Sequence, residues 1–476
     1  MTDLLDIVSA LSERGLCDHC LGRQLGKLHS GTTNDERGRS LRLMARMAKM
    51  FDEHTDASSE NNVGGEGPEK EGNGGEIGQN EMKGKSSDAG LIQDIEEKES
   101  DPVVPEAETN PSDIPIEPDP NDGSCDLCGG LFLETETFAD LITESFSEFS
   151  FETYLVGSVI DDEIIETEKE LQEELGISEY AESIKGEMNR VVGLKVYDRI
   201  RKEVSFEKPD IVGVVDTRFD IVSLQISPLF LYGRYQKFDR TIPQTVWNCK
   251  RCRGRGCEYC NGTGKIYPTS VQEQIGDIII REIGGSRHLF HGMGREDIDA
   301  RMIGTGRPFI LEISNPKLRK PDLEKLTGMV NEEAKEMVSI SGLRMARREH
   351  VAMIKNMASD KSYEAQVEFE TDIIEERLRE MEEFFTGTVI FQRTPTRVAH
   401  RRSDLVRERK VINMDCKLLD GRHATFMIKG ESGLYIKELI HGNEGRTQPS
   451  VSEFLDTGCK VTALDVVDVH YDDNLN

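Results

Sequence analysis

Four Cys-x2-Cys pairs constrain the fold of this chain more than any other feature of its sequence. Two cysteines at this spacing can place two thiolates on one metal ion, and two pairs complete a tetrahedral structural zinc site. In a reducing compartment, this usage indicates metal binding rather than disulfides. We therefore predict structural zinc bound by Cys17, Cys20, Cys125, Cys128, Cys249, Cys252, Cys257 and Cys260.

A long acidic segment separates the first two pairs. Residues 52–122 contain 21 acidic and 4 basic residues, and no aromatic residue occurs between Phe51 and Phe132. Such a segment cannot bury enough apolar surface to offset the entropy of ordering it, so we predict a disordered acidic insertion. The cost of closing a flexible loop grows only logarithmically with its length, so both pairs can still share one ion. The alternative is two unrelated reduced pairs.

The other two pairs form tandem Cys-x2-Cys-x-Gly-x-Gly units within residues 246–264. The glycines suit the tight turns of a zinc knuckle. The pattern is similar to the cysteine-rich repeats of DnaJ-type chaperones, which have four repeats and a His-Pro-Asp helical module. This chain has two repeats and no His-Pro-Asp. Four thiolates would fill the coordination shell and leave no position for a catalytic water, so a second zinc would be structural.

The rest of the sequence predicts an α+β fold divided into several segments. Residues 1–51 hold the first cysteine pair, and residues 123–245 hold the second pair followed by helix formers and an alternating strand pair that begins near residue 209. Residues 265–476 alternate strands with short helices. We expect these to form a mixed, largely antiparallel sheet flanked by helices.

The net charge of −30 argues against a simple basic nucleic-acid binder. No apolar run approaches the ~18 residues that a membrane span needs. The N-terminus also lacks the basic-then-apolar pattern of a signal peptide. We therefore expect a cytoplasmic protein without a membrane association.

A carboxylate within residues 294–309 is framed by arginines and glycines. Arg295, Arg301 and Arg307 would hold Asp297 ionised and could also bind phosphates. Asp297 is a candidate catalytic carboxylate, and Arg295 is a candidate substrate contact. Asp299 is the rival carboxylate, because the charge pattern does not separate the two acids. A surface loop with scattered ion pairs would show the same pattern.

Later segments supply the other parts of a nucleoside site. Tyr363 opens a strand and presents a ring on which a base or ribose can stack. Ile436 and Leu464 are candidate apolar walls, and Lys437 is a candidate second cation for the acid. A basic block within residues 393–410 is a candidate phosphate track, with a solvated helix face as the alternative. We predict RNA contacts for Arg393, Arg397, Arg401 and Arg402.

These segments, in this order, resemble the pseudouridine synthases. The resemblance is closest to the THUMP-containing archaeal and eukaryotic family that modifies uridines 54 and 55 of the tRNA T-loop, and it covers nearly everything except the acidic insertion. It implies a zinc-bearing THUMP-type accessory domain followed by a pseudouridine synthase catalytic domain. Asp297 matches the catalytic aspartate, Tyr363 and Tyr435 match the substrate-contacting tyrosines, and Lys437 matches the basic partner of the aspartate.

The resemblance implies a tRNA substrate, no organic cofactor and no protein partner. Asp297 would act as nucleophile or as base, and the sequence does not choose between the two. A non-catalytic zinc-dependent RNA-binding or chaperone-like protein would need only the cysteine pairs and the basic block. A THUMP-linked methyltransferase or thiolase would need a glycine-rich nucleotide loop after a strand, and the sequence contains none.

Overall fold

The computed structural model describes residues 3–60, 125–401 and 403–471. Within these residues the helices are α1 Leu4–Ser12, α2 Asp18–Arg23, α3 Asn34–Glu60, α4 Thr135–Phe146, α5 Asp162–Leu175, α6 Ile184–Ile200, α7 Val271–Ile283, α8 Leu323–Glu333, α9 Arg348–Asn356, α10 Glu375–Phe385, α11 Ile436–His441 and α12 Val451–Leu455. The strands of the same residues are β1 Thr153–Val159, β2 Glu203–Val204, β3 Ile211–Asp216, β4 Ile221–Ile226, β5 Leu229–Lys237, β6 Arg287–Gly292, β7 Ala300–Ser314, β8 Val338–Ala346, β9 Asp360–Phe369, β10 Val389–Arg393, β11 Val406–Asp420, β12 His423–Gly430, β13 Thr447–Gln448 and β14 Cys459–His470. Among the described helices, none is both long and apolar enough to cross a membrane.

The chain divides into two compact units. One comprises Met1–Phe138 and Ser158–Val192, and the other comprises Ala139–Gly157 and Gly193–Asn476. In the first unit α3 continues to Glu60, so residues 52–60 of the predicted acidic insertion are helical. The remainder of the predicted insertion, residues 61–122, lies outside the described residues, as do residues 123 and 124.

The core of the first unit contains buried charged residues as well as apolar ones. Arg23 at the end of α2 is fully buried and forms an ion pair of 2.5 Å with Glu168 of α5. The start of α2 is capped by Cys17, whose sulfur accepts the backbone N–H of Cys20. These contacts hold the first cysteine pair on a short, well-fixed helix.

The smaller sheet has the strand order β2-β1-β3-β4. β1 and β2 are parallel, whereas β3 and β4 are antiparallel, which confirms the strand pair predicted near residue 209. Ile211, Gly213 and Val215 of β3 are buried while their neighbours are half-buried. The alternation in the sequence therefore reflects a strand with one packed face.

The larger sheet contains ten strands, with the order β13-β10-β11-β12-β9-β14-β7-β5-β8 and β6 added beside β7. β14 and β7 form a parallel pair, and the other pairings are antiparallel. One buried cluster joins α7 and α8 to β5–β8, and a second joins α10 and α11 to β9–β12. This architecture confirms the predicted mixed, largely antiparallel sheet flanked by helices.

β5 lies within this larger sheet, between β7 and β8, although the sequence places it in an accessory domain at residues 123–245. Its residues from Leu229 to Gly233 are all buried. A continuous buried run suits a strand that is covered on both faces, which a strand inside a large sheet can be. The predicted boundary at residue 245 therefore falls too late in the chain.

The parallel pair brings Leu464 of β14 opposite Ala300, at the beginning of β7. Further along β7, Gly304 has a φ of +67°, and a Cβ there would lie 1.7 Å from the carbonyl oxygen of Val467. Only glycine fits such a close approach of two backbones. The pairing fixes Leu464 next to the segment that precedes β7, which contains Asp297.

Candidate active site

The second unit contains a cavity of about 420 Å³. Its lining includes residues of the loop between β6 and β7, of β7 itself, of the end of α9, of the beginning of β9, of the short helix Thr396–Arg401, of the beginning of α11 and of β14. All seven residues predicted from the sequence as catalytic or substrate-binding line it, namely Arg295, Asp297, Tyr363, Tyr435, Ile436, Lys437 and Leu464. The cavity therefore gathers segments that are separated by up to 169 positions in the sequence.

The loop that carries Asp297 is held from beneath by a buried lysine. Lys237 at the end of β5 is fully buried. Its ammonium group donates hydrogen bonds to the backbone oxygens of Ile242, Asp297 and Ile298, at 3.1, 3.3 and 2.7 Å. Burial lowers the pKa of Lys237 from its ordinary value. The three carbonyl partners compensate for the lost hydration of the ammonium group and fix the backbone on both sides of the carboxylate.

The side chain of Glu296, the neighbour of Asp297, points into the protein interior and away from the mouth of the cavity. The hydroxyl of Tyr235 donates to its two carboxylate oxygens at 2.9 and 2.8 Å, and Nε of Arg307 lies 2.9 Å from Oε2. Gln244 donates to the Tyr235 hydroxyl and to the backbone oxygen of Gly294. Burial, and next the charge of Glu296, raise the pKa of Tyr235 well above its ordinary value. This buried network anchors the beginning of the loop.

Arg397 is the cation that binds Asp297. Its Nη1 donates to Oδ1 of Asp297 at 2.7 Å, and its Nε donates to Oε1 of Glu438, also at 2.7 Å. The Glu438 side chain is only 1% exposed, against 35% for Arg397 and 27% for Asp297. Burial disfavours the charge on Arg397, but the hydrogen bond and charge of Glu438 outweigh it and raise the pKa of the guanidinium.

Lys437, the predicted partner of Asp297, binds chiefly the neighbouring acid. Its Nζ donates to the two carboxylate oxygens of Asp299 at 2.8 and 2.7 Å, and it lies 3.7 Å from Oδ2 of Asp297. Burial opposes the charge on Asp299, but Lys437 outweighs it and lowers the pKa of that carboxyl. The Asp299 side chain is 67% exposed and does not line the cavity, so the structure separates the two acids that the sequence left as rivals.

Two of the three arginines predicted to hold Asp297 ionised, Arg301 and Arg307, bind other carboxylates, so the prediction is wrong for these two. Arg301 binds Asp465, which also receives a hydrogen bond from Arg240. Arg307 binds Glu296, and the guanidinium of Arg295 lies over the ring of Trp247 at 5.4 Å. Arg301 and Arg307 lie on β7, where the strand sets the direction of each side chain. Closeness to Asp297 in the sequence therefore does not bring their guanidinium groups to it.

The aromatic residues and apolar walls lie where the sequence predicted them. Ile436 and Leu464 are buried, while Tyr363 and Tyr435 are half-buried and face the cavity. Tyr435 is fixed through its backbone, whose N–H and carbonyl oxygen both bond the side chain of Gln392 at 2.9 Å. Burial raises the pKa of Tyr363 to about 12, which keeps its hydroxyl protonated.

A second lysine reaches the same cavity from β9. The Nζ of Lys361 donates to the backbone oxygen and to the hydroxyl of Ser359, at 2.8 and 3.1 Å. Burial, and next the charge of Arg307, lower the pKa of Lys361 to about 8. The sequence analysis did not assign this residue a role, although it lies two positions before Tyr363.

Of the four arginines predicted to contact RNA, Arg393 and Arg397 have side chains that the structure describes, and the two have different surroundings. Arg393 makes a bidentate pair with Asp404, at 2.6 and 2.9 Å, and Arg446 binds the same carboxylate. Arg397 turns into the cavity. Arg401 ends the short 3₁₀ helix Thr396–Arg401, and its side chain is outside the description, as is the whole of Arg402.

The eight predicted metal ligands gather into two groups of four. In each group the four sulfur atoms all lie within 4.8 Å of one another, and each group could hold a metal ion. In the first unit, Cys17 and Cys128 are separated by 3.8 Å between sulfurs, and Nη1 of Arg23 donates to the sulfur of Cys20 at 2.8 Å. In the second unit, the sulfurs of Cys249 and Cys257, of Cys252 and Cys260, and of Cys257 and Cys260 are separated by 3.9, 3.8 and 3.7 Å. The two isolated thiols, Cys416 and Cys459, have their pKa raised by burial, to well above the ordinary value for the first and to about 12 for the second.

Comparison with known proteins decides the family. The family model described as Pus10, C-terminal, matches residues 230–470, and the model described as Pus10 THUMP domain, archaeal, matches residues 138–216. The chain belongs to the Pus10 family. The match to the C-terminal model begins within β5, in agreement with the position of that strand in the larger sheet.

Curated relatives carry the name tRNA pseudouridine synthase Pus10. The chain is 35% identical to the protein of Methanothrix thermoacetophila over 98% of this chain and 95% of that one. It is 38% identical to the protein of Methanocaldococcus jannaschii over 98% of this chain and 94% of that one. It is 41% identical to the protein of Halorubrum lacusprofundi over 73% of this chain and 83% of that one. The resemblance stated from the sequence is confirmed, and enzymes of this name are isomerases.

Proposed function

We propose that this chain is a tRNA pseudouridine synthase that isomerises uridine at positions 54 and 55 of the T-loop, with Asp297 as the catalytic carboxylate. The observation that carries this proposal is the ion pair of 2.7 Å between Asp297 and Arg397 on the wall of a cavity of about 420 Å³. A charged acid beside two half-buried tyrosines, Tyr363 and Tyr435, suits a nucleoside extruded from its loop. The names of the relatives agree with this chemistry.

The reaction is an isomerisation that this set of residues can perform without an organic cofactor. The bond between C1′ and N1 breaks, the uracil turns, and a bond between C1′ and C5 forms, while C5 loses a proton and N1 gains one. Asp297, paired with Arg397, acts either as a nucleophile or as the base that removes the C2′ proton. Ile436 and Leu464 bound the space in which the freed base turns, and they exclude water from it.

The remaining groups would hold the RNA. Arg295 and Lys437 lie on the cavity wall, where they can contact the nucleotide that carries the target base. Arg393, Arg401 and Arg402 remain candidates for phosphate contacts outside the cavity. The THUMP-type segment at residues 138–216 would hold another part of the tRNA, as this fold does in other tRNA-modifying enzymes.

Zinc is the metal that best fits both four-cysteine groups. Zinc bound tetrahedrally by thiolates at about 2.3 Å places its sulfurs about 3.8 Å apart. The measured separations of 3.8 Å for Cys17–Cys128 and 3.7 Å for Cys257–Cys260 agree with that value. Because four protein ligands complete the shell, each zinc would stabilise its surrounding turns and take no part in the reaction. Thiols gathered in this way suit a reducing compartment, so we place the enzyme in the cytoplasm.

The test is incubation of the purified protein with an unmodified tRNA transcript, without added cofactor, followed by mapping of pseudouridine. We expect modification at positions 54 and 55. Asp297→Asn should abolish it while tRNA binding persists, and Asp299→Asn should retain most activity because that side chain is largely exposed. An active Asp297→Asn variant would overturn the assignment. Binding without modification by the unaltered protein would favour the non-catalytic alternative.

A further inference from the structure

The cysteine knuckle, residues 248–265, has an exposed face that the proposed reaction does not use. The knuckle is closed by a backbone bridge between Asn248 and Lys265, and its turns are tight. At Gly256, where φ is +86°, a Cβ would lie 2.6 Å from the carbonyl oxygen of Gly262. The fold of the knuckle is thus set by cysteines and glycines, and its other side chains are free to serve a different purpose.

One of those side chains is an exposed aromatic ring with a cation on it. Tyr259 is 63% exposed, and the guanidinium of Arg251 lies 4.3 Å from the centroid of its ring. A tyrosine ring with one face covered by arginine and the rest exposed to solvent is a surface on which an unpaired base can stack. An arginine held flat in this way also presents its donors to a neighbouring phosphate.

The charge around this ring is positive in a strongly acidic protein. Residues 248–265 contain five cations, Lys250, Arg251, Arg253, Arg255 and Lys265, and a single carboxylate, Glu258. Lys265 pairs with Glu273, outside the knuckle. Lys250, Arg251 and Arg253 are exposed, and across the described residues they make no ion pair with a carboxylate.

Another exposed tyrosine of the same unit shows how this differs from an ordinary surface pair. Tyr197 on α6 is 41% exposed and lies under Arg201, at 5.3 Å from the ring centroid. Arg201 is neutralised by Asp198, at 3.0 Å. At Tyr259 the guanidinium lies closer to the ring, at 4.3 Å, and it has no such carboxylate partner among the described residues, so its positive charge remains available to an anion.

The base of the knuckle contacts the wall of the active-site cavity. Trp247, directly before the knuckle, packs edge-to-face on Tyr267, two residues after it, with 5.5 Å between ring centroids. The guanidinium of Arg295, which lines the cavity, lies over the ring of Trp247 at 5.4 Å. An RNA whose target nucleotide occupies the cavity would therefore pass near the knuckle.

We propose that the exposed face of the knuckle, formed by Lys250, Arg251, Arg253 and Tyr259, binds single-stranded nucleotides of the tRNA while the target uridine occupies the cavity. Tyr259 stacks on a base, and the three cations contact phosphates. This inference rests on the proposed function, because it takes tRNA as the bound partner. A different role for these cations would be to offset the negative charge of the zinc-bound thiolates, and the test separates the two roles.

The experiment measures the Kd of an unmodified tRNA transcript in the full-length Asp297→Asn background, so that no turnover occurs during binding. Tyr259→Ala should weaken binding about tenfold, since stacking is worth this much per base. Tyr259→Phe keeps the ring and should bind as the parent does. Phe384→Ala, which removes a 44% exposed ring on α10 outside the cavity lining, is the control and should bind as the parent does.

Charge is tested separately with Lys250→Gln combined with Arg253→Gln. Loss of two phosphate contacts should reduce the slope of log Kd against log salt concentration by about 1.5. Zinc per chain and Tm, measured for each variant, should remain those of the parent. The proposal is overturned if Tyr259→Ala and the double variant bind tRNA unchanged, or if they weaken binding only together with loss of zinc. Pseudouridine formation by the unaltered protein, measured in parallel, reports on the proposed function independently of this result.

Discussion

Replacing Arg397 by methionine should affect stability and rate through two different carboxylates. Arg397 donates to Asp297 on the cavity wall and to Glu438, whose side chain is 1% exposed. Methionine has similar length and removes both interactions. Asp297, the proposed catalytic group, would lose its partner. Glu438 would remain a buried acid without its cation.

The two losses have different expected sizes. A buried carboxylate left unpaired costs about 3–5 kcal/mol, and the 35% exposure of the Arg397 side chain places the expected loss of unfolding free energy near 3 kcal/mol. A hydrogen bond to a charged group contributes about 1.5–3 kcal/mol. Because the Asp297–Arg397 pair is partly exposed and Lys437 lies 3.7 Å away, we expect the lower value, or about a tenfold fall in the rate.

The assay combines denaturant unfolding with single-turnover pseudouridine formation at saturating enzyme. The decisive variant is Arg397→Met together with Glu438→Gln, which removes the buried charge along with its partner. We expect this double variant to recover most of the lost stability but none of the lost rate. Recovery of both would show that Arg397 acts only by supporting the structure, and would refute its role as the partner of Asp297 in the reaction. Glu438→Gln alone, which leaves the Asp297 pair intact, should stay within a few-fold of the unaltered rate.

Three other predictions follow from the site and the metal groups. Lys237→Met should lower the single-turnover rate by about 100-fold without changing the Kd for tRNA, because a displacement of about 1 Å in the Asp297 loop misplaces the carboxylate. An unchanged rate would refute this role of Lys237. Measurement of Tm shows whether the variant is merely unfolded. Lys361 should lose its charge as the pH rises through about 8, so tRNA binding should weaken above that pH, and Lys361→Met should remove the dependence. The unfolded lysine keeps its proton up to about 10.5, so between these values the unfolded state binds more protons and the contribution of Lys361 to the unfolding free energy should rise with pH. The purified protein should contain two zinc ions per chain by elemental analysis, and Cys249→Ser combined with Cys252→Ser should leave one; a value near zero in the native protein would refute both sites.

Patterns confined to one segment predicted much of this protein correctly. The alternation near residue 209 gave the strand pair β3 and β4, and the four cysteine pairs gave two groups with sulfurs in contact. The sequence also indicated the Asp297 loop, Tyr363 and residues 435–437 as candidate site residues, and in the structure they line one cavity. Each of these depends on local spacing or on a family motif, and both are visible without knowing which strands are neighbours.

The residues that sequence reasoning missed all act across long separations. Lys237 ends a strand of mostly apolar residues, and nothing in its sequence context shows that its ammonium group binds two carbonyls of the distant Asp297 loop besides that of Ile242. Glu296 looks as exposed in the sequence as Asp297, yet it is buried because the loop turns its side chain towards Tyr235 and Arg307. An exception to an apolar pattern, such as a lysine at the end of a buried strand, is the signal that could have indicated Lys237.

The sequence by itself determined which residues could bind metal, that Asp297 and Asp299 were the candidate acids, and that strands and helices would combine in an α+β fold. Tertiary structure alone decided that Arg397, 100 positions from Asp297, is the partner of that acid, and that β5 belongs to the larger sheet. The physical reason is that side-chain spacing along a helix or strand follows from the backbone, whereas the pairing of two distant charges depends on strand order and register. These are set by the packing of the whole sheet.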